Sequence, residues 1–419
     1  MQQNSKFYLW YNPRDKQYYE ECLDCYDGFV IPANILAYNT NAFSVILEKT
    51  KKPYFIDPKT STFQISDIDI FFNEKGLIRS SWEKVIKYYG SVIANSIRNK
   101  MHLTYSDFID QYGLFKQSLE ELTEKVVNFQ RSIIRKKTLG LSRFFKTKTR
   151  ENGLLFLTAP YFFFESLNDP WYNITIEMII KSIKTKFNDK MYGVICTTKH
   201  FIEEQNNINK LIDDLNIEGL DGILIWIDTF DEYNESERYL SSLLYLINKL
   251  SSSSKQIINL YGGYFSNIAK YWGLNGFASG VNYKDMKEIY ETQISGGPEG
   301  GPHPRYYIPL LHNKTLLDTA LRFIRQFNEF KCNCLICQSN PEAYELSTPR
   351  NIRRFIMNKH FLQIKKQEIQ EVGSLINYQL ITKLDSLYRK YMTADIVLNV
   401  SYLNEWNMAI KNNMELINM

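Results

Sequence analysis

The chain lacks what would place it in a membrane or on an export route. None of its 419 residues sit in an apolar run long enough to span a bilayer, which takes about 18. The opening residues, Met1-Gln2-Gln3-Asn4-Ser5, are polar and do not read as a signal peptide. Cysteine is scarce: six in all, three of them in one cluster. That argues for metal or free thiols in a reducing compartment rather than a disulfide framework, so a cytoplasmic protein is expected. Charge of one sign is also lacking. A formal net charge of +4 is small, so affinity for nucleic acid has to come from local patches. Two nucleotide-binding signatures are missing as well. The glycine-dense loop 295–305 contains no Gly-Lys-Ser/Thr, and Rossmann glycine spacing is absent.

What is present describes an ordinary globular protein, with 44% hydrophobic and 23% charged residues. The length suits one large barrel with additions, or two to three average domains. Aromatic content is high at 15%, which fits an aromatic core or surfaces on which bases stack.

The sharpest local signal is Cys332-Asn333-Cys334-Leu335-Ile336-Cys337, followed 23 positions later by His360. Three thiolates and one imidazole fill a tetrahedral zinc site and leave no open position, so a structural ion is expected. A lone pair, Cys22 and Cys25, reads as half a zinc site, a redox pair or two plain thiols.

From Gly153 onward apolar runs alternate with amphipathic stretches. Strands are expected at 154–157, 192–195, 222–227, 257–260 and 276–278, with helices at 174–187, 200–215, 235–250 and 266–272. This rhythm argues for parallel strands with helices outside, closed as a barrel. Earlier, 31–37 reads as a buried strand ending at Tyr38 and Asn39, and 53–56 as a strand ending on Asp57. Later, 306–310 reads as a strand and a helix begins at Thr315.

Barrel chemistry sits where strands end, which selects Asp57 and Asp228. Such an acid is a turn former or a catalytic carboxylate. Asp231 and Glu232 read as the first turn of the next helix. Between 131 and 150 there are eight basic residues and no acid: Arg131, Arg135, Lys136, Lys137, Arg143, Lys146, Lys148 and Arg150. They form a solvated helix face or a phosphate-binding arm. The loop 295–305 lets backbone approach a ligand, or is a surface excursion.

The Cys-x-Cys-x-x-Cys motif, with a helical His some two dozen residues on, resembles the zinc subdomain of the tRNA-guanine transglycosylases. In that family the subdomain is appended near the end of a (β/α)8 barrel. The resemblance implies a barrel over 1–330 with a helical basic insertion at 66–150, a zinc subdomain at 331–361 and C-terminal helices at 362–419. Asp57, followed by small residues and then Phe63-Gln64, is similar to the family's Asp-Ser-Gly-Gly-Phe-Gln, with a spacer two residues longer and no glycines.

The family's nucleophilic Asp, in a Phe-Asp pattern on a late strand, has no counterpart at Gly276-Phe277-Ala278-Ser279. The Asp that recognises deazaguanine has none at Thr158-Ala159-Pro160-Tyr161. Base exchange must hold the sugar while bases swap, whereas hydrolysis needs a stabilised cation and a water. The chain therefore looks most like the antiphage DNA glycosylases of this superfamily, which excise modified bases from bacteriophage DNA. The expected catalytic residues are Asp57 and Asp228. The expected base pocket is Tyr38, Asn39, Gln64, Tyr161, Tyr261, Gly262 and Gly263. The expected partner is DNA with an extrahelical base, and the oligomeric state, monomer or dimer, stays open. Base exchange on DNA or tRNA, and a non-catalytic binding subunit, are the rival expectations.

Overall fold

The computed structural model describes residues 4–142, 153–282, 285–290, 303–375, 377–393 and 399–417. Its centre is a (β/α)8 barrel. Nine strands belong to this sheet: β1 (Lys6–Trp10), β2 (Gly28–Pro32), β3 (Tyr54–Asp57), β4 (Leu157–Thr158), β5 (Phe163–Phe164), β6 (Met191–Thr197), β7 (Gly222–Ile227), β8 (Gln256–Asn259) and β9 (Leu274–Ser279). All but β5 follow one another around the ring, every pairing parallel. Two joints close it. β1 pairs with β9, Phe7 opposite Phe277. Beside β3, Tyr54 exchanges main-chain hydrogen bonds of 2.8 Å with Gly153 and Leu155, at the entry to β4. The short β5 extends the end of β6.

Strands covered on both faces are mostly apolar, and β2, β3, β6 and β7 are buried at every position. The interior is filled by rings. Tyr8, Phe55, Phe156, Tyr192 and Trp226 pack there with Val30, Val194, Leu224 and Ile258. Tyr192 lies flat on Phe156, centroids 3.6 Å apart. Such rings require glycine beside them: a Cβ on Gly222 would fall 2.4 Å from the Tyr192 ring.

The strand expected at 31–37 lies earlier. β2 ends at Pro32, and Ala33–Thr50 is a helix, with a kink at Asn39. Proline fixes φ at the strand's end and Ala33 opens the helix, so the apolar residues beyond it follow helical rather than strand spacing. The first strand, β1, was not foreseen. The apolar stretch expected at 306–310 is β10 (Arg305–Ile308). It pairs antiparallel with β11 (Asn313–Leu316) outside the barrel, so the helix there begins at Leu317, not at Thr315.

The connection from β3 to β4 holds the helical insertion: Ser80–Tyr89, Ser91–Lys100 and the long helix Gln117–Ser142. Ser80–Tyr89 buries Trp82, Val85, Ile86 and Tyr89, one face of a helix. The insertion contains a duplicated tight hairpin. In one copy Asn73 Oδ1 accepts from Lys75 N and Leu77 N. In the other, Asp110 Oδ1 accepts from Tyr112 N and Leu114 N. The turns use Gly76 (φ 69°) and Gly113 (φ 81°), left-handed positions that suit glycine. Arg79 and Lys116 then close each copy by donating to the carbonyls of Asp69 and Ser106.

The C-terminal helices Asn377–Tyr391 and Ser401–Asn412 pack on the barrel's outer helices. Trp406 Nε1 donates to the Glu232 carbonyl at 2.7 Å, and Trp272 Nε1 to that of Asn413 at 2.9 Å. Among the described residues no helix is long and apolar enough to cross a membrane.

Candidate active site and metal centre

At the carboxyl end of β3 the sequence Asp57-Pro58-Lys59 makes a tight turn. Pro58 presets its own φ, and Lys59 takes a left-handed conformation (φ 56°) while its N–H donates to Asp57 Oδ1 at 2.9 Å. That geometry costs a non-glycine residue roughly 1–2 kcal/mol. It folds the lysine back over its own aspartate, and Lys59 Nζ lies 2.9 Å from Asp57 Oδ2. Asp57 is 1% exposed and the Lys59 side chain 13%.

Four other strand ends complete the cluster. Tyr161, beyond β4, donates its hydroxyl to Asp57 Oδ1 at 2.9 Å. Thr60 Oγ1 donates to the Tyr161 carbonyl at 2.6 Å and accepts its N–H at 2.8 Å, tying the two strand ends together. Tyr261, beyond β8, stacks on Trp10 with centroids 5.0 Å apart, and Lys59 Nζ donates to its hydroxyl at 3.3 Å. The ammonium sits 4.9 Å from the ring centroids of both Trp10 and Trp226. Burial pulls its pKa down, but Asp57 and Tyr261 outweigh that and hold it above the ordinary lysine value.

The two oxygens of Asp57 are unequal. Oδ1 takes two hydrogen bonds. Oδ2 is held by the ion pair with Lys59 alone. Burying such a pair is costly, and charged groups placed at a barrel mouth at that cost are candidates for chemistry.

Asp228, at the end of β7, is held differently. Its Oδ1 accepts from Ile289 N at 2.5 Å, and Trp226 Nε1 donates to the Lys287 carbonyl at 3.2 Å. This fixes residues 287–289 at the mouth, where Ile289 joins the interior cluster. Burial and the nearby Glu288 raise the Asp228 pKa.

The other expected pocket residues divide. Tyr261 faces the cluster, and fully buried Tyr161 orients Asp57 rather than offering a stacking face. Gln64 exchanges two hydrogen bonds with the main chain of Phe163, at 2.7 and 3.0 Å, so its amide ties the insertion to β5. Tyr38 and Asn39 are helical, and half-exposed Tyr38 faces Lys84 of the insertion rather than ending a strand. Gly262 and Gly263 are forced by their neighbours. A Cβ on Gly262 would strike Ser266, and one on Gly263 would lie 2.9 Å from Asp285 Oδ2 and 3.0 Å from Glu232 Oε2.

Those two carboxylates were not expected at the site. Glu232 does not open a helix. It is buried and accepts the N–H groups of Gly263, Phe265 and Ser266, each at 3.0 Å. Burial pushes its pKa up to about 7. Asp285 accepts from Ser279 Oγ at the end of β9. Also missed were Lys59, Trp10 and Trp226. The signal for Lys59 was a strand-end Asp-Pro followed by a cation, and for Trp226 the inward alternation of β7.

Arg131 donates to Asp189 Oδ2 at 2.8 Å and to the Thr185 carbonyl at 2.7 Å, so it braces two helices. Arg135, Lys136 and Lys137 lie on the helix Gln117–Ser142. Their side chains, and Arg143, Lys146, Lys148 and Arg150 altogether, fall outside the described residues, as does most of the loop 295–305.

Cys332, Cys334, Cys337 and His360 converge, with ligand atoms within 4.8 Å of one another. His360 Nδ1 lies 3.4 Å from Cys334 Sγ and 3.3 Å from Cys337 Sγ. A tetrahedral zinc with ordinary bond lengths puts such atoms about 3.5 Å apart. The Tyr307 carbonyl, 2.8 Å from His360 Nε2, can only accept, so the ring proton sits on Nε2 and Nδ1 is free to ligate. Tyr306 stacks on the imidazole, centroids 4.8 Å apart. The donor set fits a closed zinc site. Cys22 and Cys25 are buried, free and apart from this group. A shallow pocket lined by Lys6, Tyr8, Lys190 and Gln256 lies at the opposite end of the strands.

No family model and no curated protein matches the chain. Solved structures that match include xylanase B from Clostridium stercorarium, 10% identical with a TM-score of 0.33, over 66% of this chain and 85% of that one. A xylanase from Paenibacillus barcinonensis is 8% identical with a TM-score of 0.37, over 67% and 86%. An intracellular xylanase from Thermoanaerobacterium saccharolyticum is 9% identical with a TM-score of 0.36, over 71% and 90%. The likeness at this level is one of barrel architecture, and the chemistry has to be argued from the site itself.

Proposed function

We propose that the chain is a relative of the tRNA-guanine transglycosylases that acts as a DNA glycosylase, hydrolysing the N-glycosidic bond of a modified base in bacteriophage DNA to leave an abasic site. The observation that carries the reading is Asp57, a buried carboxylate paired with Lys59 at the mouth of a parallel barrel. As a base departs, the sugar becomes oxocarbenium-like, and a fixed carboxylate stabilises that cation and takes a proton from the attacking water. Tyr161 and the Lys59 N–H hold Oδ1, which keeps Oδ2 in place. The substrate base has to be extrahelical to reach a barrel mouth. Cys332, Cys334, Cys337 and His360 would hold a structural zinc, which when bound pins the segment that carries the three cysteines to the helix Arg350–Ser374. The basic run beyond Arg131, from Arg135 to Arg150, supplies the phosphate-binding arm in this reading, in a cytoplasmic protein.

A second reading is base exchange. It gains from Asp285, whose carboxylate meets Ser279 where the late-strand acid was absent from the sequence. The test is to incubate the protein with unmodified and hypermodified phage DNA and to analyse released bases and abasic sites. Hydrolysis yields both, and exchange instead incorporates labelled free base without abasic sites. Release of no base from any of these DNAs, with no incorporation, overturns the catalytic reading and leaves a binding subunit.

A further inference from the structure

We propose that Lys59 is the acid that protonates the departing base, working with Asp57 as a proton-returning couple. This deepens the glycosylase reading and rests on it.

The placement carries the argument. An ammonium has three N–H donors. Among the described residues Lys59 spends one on Tyr261 and holds another against Asp57. Its side chain keeps 13% exposure, so a ligand at the mouth meets a charged donor already in position. Trp10, Trp226 and Tyr261 surround the cation without neutralising it. A chain in a left-handed conformation at a non-glycine residue is strained, and here the strain is what brings the ammonium over the carboxylate.

The step balances within this pair. The C1′–N bond breaks and its electrons pass to the base nitrogen. Lys59 gives that base a proton and becomes a neutral amine. Water adds to C1′ and loses a proton to Asp57 Oδ2. The protonated Asp57 then returns a proton across 2.9 Å to Lys59. The net reaction is DNA and water to an abasic site and free base, with no other reactant. The two transfers assist each other. Once Lys59 has given up its proton the carboxylate loses its counter-charge, so Asp57 takes the proton of the attacking water more readily. The chemical class of substrate follows: a base that leaves poorly as an anion, carrying an acceptor beside its glycosidic nitrogen.

The experiment uses Lys59→Arg as the main variant, since it keeps the positive charge beside Asp57 but cannot give up a proton. Once phage DNA has shown which base is released, duplex oligonucleotides carrying that base and a ring-fluorinated, more acidic analogue are compared. General acid catalysis is worth about a hundredfold or more. Lys59→Arg should lose about that much kcat on the natural base, much less on the acidified one, with KM little changed. Asp57→Asn/Lys59→Met, a neutral pair, should lose activity on both bases. Equal losses of Lys59→Arg on the two bases, or no loss, overturn the proposal while leaving the glycosylase reading intact. A borohydride-trapped adduct on Lys59 also overturns it, because the lysine would then be a nucleophile. Absence of base release by the wild-type protein overturns both.

Discussion

The barrel mouth and the Cys/His clip are built in opposite ways from polar groups. The clip draws three of its four side chains from six consecutive residues and the fourth from one helix. All its donors point inward and its imidazole proton is spent on a carbonyl. The mouth draws Trp10, Asp57, Lys59, Tyr161, Trp226 and Tyr261 from five separate strand ends. It holds a buried carboxylate and an ammonium 2.9 Å apart, the latter partly exposed. A closed donor set stabilises structure. A buried ion pair at a barrel mouth carries a desolvation cost and keeps two charged groups where a substrate can meet them. The difference separates stability from chemistry, and substitutions in the two regions should do so as well.

The largest effect is expected at the clip. Cys334→Ser should abolish stoichiometric zinc and lower stability by several kcal/mol, because binding free energy at such a site is folding free energy. Metal analysis of freshly purified protein and thermal melts with and without chelator check this. Zinc-free protein with an unchanged melt would break the comparison, since the clip would then stand on packing alone.

Next comes Asp57. Asp57→Asn should reduce base release by a hundredfold or more, since electrostatic stabilisation in a dry site is worth about 3 kcal/mol. It should also destabilise the fold, because it leaves the Lys59 ammonium inside without a counter-charge. Breaking a buried pair costs about 3–5 kcal/mol, and the slight exposure of Lys59 favours the lower end. Asp57→Asn/Lys59→Met should recover most of the stability and none of the activity. Denaturant melts and base release on the same samples separate the two effects. Recovery of activity in the double variant would mean that neither charge takes part in the reaction.

How much of this was legible in the sequence follows from locality. The clip was readable because its spacing is local, and Asp57 because a short apolar run ends on it. The alternation beyond Gly153 was enough for the barrel. Lys59 was passed over because a cation after a strand-end Asp-Pro gains its meaning only from the left-handed turn that folds it back over Asp57. Trp10 was lost with β1, which carries only one clearly polar position at its start. Glu232 stands among acids just before a helix, which is where a helix-capping acid stands. Only the fold shows it accepting three N–H groups from another loop. The two hairpins were missed because they share an Asn or Asp, a Gly-Leu and a cation, but little else.

The smallest effect is expected at Asp228, and it sharpens the comparison from within the mouth. Both aspartates end a strand, yet Asp228 spends an oxygen on Ile289 N and is only half-buried. Asn at this position keeps an acceptor for that N–H, so stability should stay within about 1 kcal/mol of wild type. The pH dependence carries a definite sign. Burial and Glu288 raise the Asp228 pKa in the fold. The folded state therefore binds this proton more tightly than the unfolded chain does. The resulting stability is present below the ordinary carboxylate pKa and is lost as the pH rises through the raised value. Asp228→Asn lacks that dependence, so it should gain on wild type as the pH is raised from acid to neutral. Melting both proteins across that range checks the sign. Base release should fall by less than tenfold, the modest loss expected of a residue that holds a loop rather than one that meets a developing charge. A hundredfold loss with an unchanged melt would instead make Asp228 a partner in the reaction and divide the chemistry between two strand ends.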